Sequence, residues 1–203
     1  MKLSQRISFT VTIGVLAIGV LSSTVGATAA QTMDKQIPAQ TVEKVVVTDP
    51  TVITKLNSTS VAPLVNEAKE RYYHVMCGGD ETDKGFELNG QQYRYLFDDI
   101  GTRAKLMDYL KNVYTETAAA YLVDKYLITH NGRLAIAQLH VAKGNILEFD
   151  KATAKMLSMT ETKRVYKLCV PHPDHTLQSE YITVKFKKIG DYWRVDTAPH
   201  VIF

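Results

Sequence analysis

The chain has 203 residues, enough for one modest domain beside processing segments. A hydrophobic fraction of 45% and a charged fraction of 22% exclude a wholly disordered or fibrous chain. The formal charge of +3 comes without a long basic block, so composition gives no sign of nucleic-acid binding.

Lys2 and Arg6 precede the mostly apolar stretch Ile7 to Leu21, and Ala27-Thr28-Ala29 supplies a small-x-small cleavage pattern, with Thr28-Ala29-Ala30 one residue on. The apolar stretch falls short of the roughly 20 residues of a spanning helix. Residues 1–29 therefore read as a secretory signal, and the product as extracellular or wall-associated, free of the membrane once cleaved. Loss of Lys2 and Arg6 lowers the formal charge from +3 to +1.

Residues 30–60 are rich in Thr, Val, Gln, Pro and Ser without helical period and read as a flexible linker; Pro38, Pro50 and Asn57-Ser58-Thr59-Ser60 punctuate it. The domain is expected over 61–203. Val61, Val65, Ala68, Tyr72 and Val75 recur at helical spacing, with Pro63 in the first turn and Gly78-Gly79 as the stop. Asn89-Gly90 joins Phe86–Leu88 to Gln91–Phe97 as a hairpin.

Asp99 or Thr102 caps a helix carrying Leu106, Met107, Leu110, Val113 and Tyr114 on one face, and Thr115 caps another carrying Ala118, Leu122 and Tyr126. Asn131-Gly132 makes a second hairpin. Lys151 to Leu157 reads as a short helix. Val165–Val170, Tyr181–Lys188 and Tyr192–Val195 read as strands; Ile182, Val184 and Phe186 alternate with Thr183, Lys185 and Lys187, so one face is covered and one is wet. The order predicts an α+β fold, helices packed on a curved antiparallel sheet, with a cystatin-like arrangement as one form of it.

Candidate chemistry is thin. His172-Pro173-Asp174-His175 offers two imidazoles where structural zinc wants four ligands, and reads as a turn. Cys77 with His74 or His140 makes a thiol–base pair without a surrounding peptidase signature. Asp80, Glu81, Asp83, Asp98 and Asp99 sit at element ends, where carboxylates favour caps and turns. Trp193 reads as core, and the basic run Lys185 to Lys188 as the solvated side of a strand. No nucleophile elbow, metallopeptidase helix or phosphate loop occurs. The chain is thus expected to be no enzyme, with no metal and no cofactor. Outside the cytoplasm, Cys77 and Cys169 are a candidate disulfide, one worth on the order of 4 kcal/mol in the chain-entropy account. The connection Leu139-His140-Val141-Ala142-Lys143-Gly144-Asn145-Ile146-Leu147 joins two apolar segments, a place where binding residues concentrate.

From Cys77-Gly78-Gly79-Asp80 through Asn89-Gly90, Tyr93-Arg94-Tyr95-Leu96, Tyr109-Leu110, Tyr114-Thr115 and Asn131-Gly132-Arg133-Leu134-Ala135, the chain resembles the IseA family of secreted bacterial inhibitors of D,L-endopeptidases. Trp193-Arg194-Val195 extends the likeness. Where the family pattern carries a glycine–serine pair and an aromatic residue, this chain has Gly144-Asn145 and Phe149. The resemblance implies partners that are papain-like, cell-wall D,L-endopeptidases (autolysins), with peptidoglycan a further partner. It implies a protruding loop that blocks the Cys–His groove, Leu139 to Leu147 first and Gly78, Gly79, Asp80 and Glu81 second. The alternative expectation is a wall- or small-ligand-binding module without inhibitory activity, using Trp193 and nearby tyrosines.

Overall fold

The computed structural model describes residues 49–80, 84–138 and 146–203. Its elements are α1 (Val61–Cys77), β1 (Gly85–Leu88), β2 (Gln91–Tyr95), α2 (Arg103–Lys111), α3 (Glu116–Tyr126), β3 (Leu127–His130), β4 (Arg133–Ala137), β5 (Thr153–Met159), β6 (Lys163–Val170), β7 (Glu180–Ile189), β8 (Tyr192–Val195) and α4 (Pro199–Ile202). The strands form two antiparallel sheets, ordered β1-β2-β4-β3 and β5-β6-β7-β8. The fold is α+β, but its strands are divided between two sheets rather than joined in one curved sheet, so the strand order does not establish a cystatin-like arrangement.

α1 is the shared core element. Val61, Leu64, Val65, Ala68, Tyr72 and Val75 are all buried along it. They share one buried cluster with Leu106 and Leu110 of α2, Leu122 and Val123 of α3, Leu134 and Ile136 of the first sheet, and Leu168, Val184, Phe186, Trp193 and Val195 of the second. Thr102 and Thr115 cap α2 and α3, their hydroxyls accepting from the Lys105 and Ala118 N–H groups. Asn89 and Asn131 take φ of 53° and 50°, and each is followed by a glycine at 76°, so both Asn-Gly turns close two-residue hairpins.

The packed chain begins ahead of Val61. Pro50–Val52 forms a single 3-10 turn, and Ile53 and Leu56 enter the core. The Ile53 carbonyl accepts the Trp193 N–H at 2.9 Å. Asn57 Oδ1 accepts the Thr59 and Ser60 N–H groups, so a polar run that reads as linker is a folded lead into α1. Residues 1–48, and with them the expected signal, lie outside the described residues. Among those described, no helix is long and apolar enough to cross a membrane.

The helix expected over Lys151 to Leu157 is instead a turn at Phe149–Lys151 followed by β5. Ala, Lys, Met and Leu favour helix locally, yet pairing with β6 prevails. The register slips between Met156 and Ser158, and this bulge erases the period-two signal that would have announced a strand.

Trp193 is 2% exposed and therefore core. Cys77 and Cys169 are both free thiols, so the anticipated disulfide is not formed. Cys77 ends α1, whereas Cys169 sits within β6 of the second sheet, in register with Thr153 and Tyr181.

Candidate functional site

The corner where α1 meets the first sheet is built around two glycines. Gly78 has φ 97°, and its N–H donates to the Val75 carbonyl; the Gly79 N–H, at φ 104°, donates to the His74 carbonyl. This pair of bonds closes the helix with a left-handed turn. A Cβ on Gly79 would lie 2.6 Å from Asp99 Oδ1, so the turn admits no side chain there. Phe97 N–H donates to the Gly78 carbonyl at 2.7 Å, and Arg94 Nη2 donates to the Met76 carbonyl at 2.8 Å, placing a cation at the negative end of α1.

His74 Nε2–H donates to Asp99 Oδ2 at 2.6 Å and lies 3.9 Å from Asp80 Oδ1. Asp80 and Asp99, separate in sequence, are thus brought to one imidazole. Among the described residues, His74 is engaged by carboxylates and Cys77 is an exposed free thiol, while His140, the other base weighed for that thiol, lies outside them. The donors of His74, Asp80 and Asp99 form the one grouping, among the described residues, close enough to share a metal ion. Three donors, two of them already paired at 2.6 Å, make a joint between α1 and the Phe97–Gly101 turn. Tyr109 packs its ring 5.2 Å from His74 under the Arg71 guanidinium, and burial pushes its phenol above the ordinary value.

Among the described residues, His172 and His175 belong to no group of three or more metal-ligating side chains. His172 Nδ1 accepts the Asp174 N–H, and the Thr176 hydroxyl and N–H donate to Asp174, lowering its carboxyl below the usual value. The segment is a solvated turn. Asp98 is also exposed; its carbonyl accepts Lys105 Nζ at 2.6 Å.

The outward face of the first sheet carries Phe86, Tyr93, Tyr95 and His130, all half-buried. Phe86 stacks on His130 at 4.2 Å and packs against Tyr95 at 4.7 Å. The Tyr95 hydroxyl and His130 Nδ1 share a hydrogen bond of 2.6 Å, and the Arg133 guanidinium covers the Tyr95 ring at 4.8 Å. Sequence alternation put Tyr93 and Tyr95 on one face; the contribution of Phe86 and His130 from neighbouring strands needed the register.

Of the expected inhibitory segment, Leu139, His140, Val141, Ala142, Lys143, Gly144 and Asn145 lie outside the described residues, as do Glu81 and Asp83. Both flanks are described. Gln138 N–H donates to the Gln92 carbonyl at 2.8 Å. Ile146 is exposed, while Leu147 is buried and its carbonyl accepts Lys69 Nζ of α1 at 3.3 Å. Glu148 N–H then donates to the Pro171 carbonyl, and Phe149 is wholly buried. The flank at Gln138 and the glycine corner share a scaffold, because Gln92 and Arg94, two residues apart on β2, hold one each.

A sequence model of the family described as IseA DL-endopeptidase inhibitor matches residues 52–200. The chain is also 29% identical over 156 residues to the Bacillus subtilis (strain 168) protein named "Uncharacterized protein YoeB", covering 72% of this chain and 84% of that protein.

Proposed function

This chain belongs to the IseA DL-endopeptidase inhibitor family, and from that membership we propose that it is a secreted inhibitor of cell-wall D,L-endopeptidases (autolysins) of the papain-like type. It would act by seating the segment Leu139 to Leu147 in the Cys–His groove of the peptidase, and so restrain peptidoglycan hydrolysis and cell separation. The observation that carries the segment's role is its anchorage. One flank is hydrogen-bonded to β2, and the other is buried against α1. Fixed ends reduce the ordering entropy lost on docking. Inhibition by occupation requires no bond-making chemistry from the inhibitor, in keeping with a His74 committed to carboxylates. The Gly78–Glu81 turn, held by the neighbouring Arg94, is the second contact.

Purified protein is mixed with a recombinant D,L-endopeptidase, and peptidoglycan digestion is followed. Loss of digestion near a stoichiometric ratio is expected. Replacing residues 139–145 by glycine and serine should weaken inhibition at least tenfold without lowering the melting temperature. A folded loop variant that inhibits as well as the parent would sink the assignment of the loop.

The aromatic face of β1, β2 and β3 favours one other reading, a wall-binding module. Its rings are half-exposed, as a saccharide platform requires, whereas Trp193 is buried. Saturable binding to purified wall without any peptidase would be its sign.

A further inference from the structure

The outward face of the second sheet is the least expected surface of the molecule. Register places Lys155 opposite Lys167 and Lys163 opposite Lys187, with Lys185 opposite Val165 between them. All five lysines are exposed, and none forms an ion pair among the described residues. Within the four strands no Asp or Glu occupies this face; Asp196, one residue past β8, gives its N–H to the Lys185 carbonyl, and its carboxylate accepts the Thr115 hydroxyl. Glu161 and Asp191 lie in turns, and Glu180 pairs with Val170 on the opposite face. Like charges directly opposite each other destabilise a sheet. Two such pairs on one uncompensated face are a local cost that burial and hydrogen bonding do not explain, and such costs mark functional surfaces.

We propose that this face binds a linear, base-free phosphodiester polymer. At one end, Thr153, Lys155, Lys167, Cys169 and Tyr181 line a shallow depression of about 540 Å³. Ala154 and Leu157 complete its lining, so two lysines and two hydroxyl-bearing side chains border a space with room for more than one phosphodiester unit. Lys185 and Lys187 continue the charge along β7 at roughly 6.7 Å per pair of residues. Flexible, strongly hydrated lysines suit repeating phosphates of no fixed geometry, whereas bidentate recognition would call for arginine. A protein partner fits less well, since lysine is depleted from the desolvated centres of protein interfaces. Single-stranded nucleic acid would want aromatic rings interleaved with the charges. Two rings border the row at its ends without interleaving it: Tyr181 lies under Lys167 Nζ at 4.5 Å, and Tyr192 lies under Arg194, which pairs with Lys187. The surface shares no residue with the proposed inhibitory segment and stands whether or not that reading holds.

The test uses the purified protein and labelled oligomeric poly(glycerol phosphate), titrated at about 50 to 200 mM salt. Binding should weaken with salt at a log–log slope of roughly −3 to −4, and Lys167→Gln should reduce that slope by roughly 0.7. The double variant Lys167→Glu/Lys185→Glu should weaken binding at least tenfold. It should also melt about 1–4 °C higher than the parent, because the carboxylate introduced at position 167 faces Lys155 across the strands. Weaker binding by a more stable protein separates loss of the site from loss of the fold, and inhibition of a peptidase in polymer-free buffer should be unaffected. No binding of the polymer, undiminished binding by the double variant, or tighter binding of oligo(dT) of equal charge would each overturn the proposal.

Discussion

The two sheets are alike in strand number and antiparallel order, yet their outward faces differ in kind. The first presents stacked rings half withdrawn from water, and the second presents exposed lysines. Both faces follow from the same period-two geometry, so the difference lies in residue choice at positions the core does not dictate. Function is therefore sought on the outward faces and their connections, and stability on the inward ones.

The largest expected effect tests that division directly. Trp193→Ala should destabilise the protein by roughly 3–5 kcal/mol in urea denaturation, since it empties a fully packed site. Phe86→Ala, on the outward face of the first sheet, should cost only about 1 kcal/mol. Equal losses would mean that the aromatic face is core and would end the comparison. Gly79→Ala should cost about 2 kcal/mol, combining a φ of 104° with the Asp99 clash, and should move the Phe97–Gly101 turn without touching the second sheet. Amide exchange confined to the first sheet and the end of α1 is the expected readout.

Tyr114→Phe sharpens the shared part. The phenol is buried, donates to the Ala68 carbonyl at 2.6 Å, and is pushed well above its ordinary pKa by that burial. Its loss should cost about 1 kcal/mol and affect both sheets alike. The smallest effect lies at the seam, where His200 of α4 stacks on Tyr121 of α3 at 4.8 Å. Burial, aided by Lys125, holds the His200 pKa below its ordinary value. The unfolded chain then binds a proton more readily than the folded one, so stability rises with pH and is lost as pH falls below about 6.5. The melting temperature of His200→Gln should respond less to acidification than that of the parent.

Local chemistry made much of the fold legible before any coordinates. Gly78, Thr102, Thr115 and the two Asn-Gly pairs act through their own backbone, and each element they bound was readable from a few neighbouring residues. What escaped was set by partners far along the chain. β5 is built of helix formers and becomes a strand because β6 is there to pair with it. Ile53 and Leu56 look like linker until the core that receives them is assembled. The candidate site divides the same way. Glycines 78 and 79 were visible, but the His74–Asp99 joint spans a helix and a turn, and the lysine surface gathers residues from three strands. Lys185 to Lys187 alone gave no hint of Lys155, Lys163 and Lys167 beside them.

The hydrogen bond from Trp193 to Ile53 has a consequence in time. The first stretch of the packed chain is held by one of its last strands, with Arg194 also donating to the Thr51 carbonyl. The hairpins pair locally, but the packed core closes only when nearly the whole polypeptide is available, and contacts of this sequence separation slow the search. A chain emerging in order from a ribosome would keep that core open until its last strand arrived.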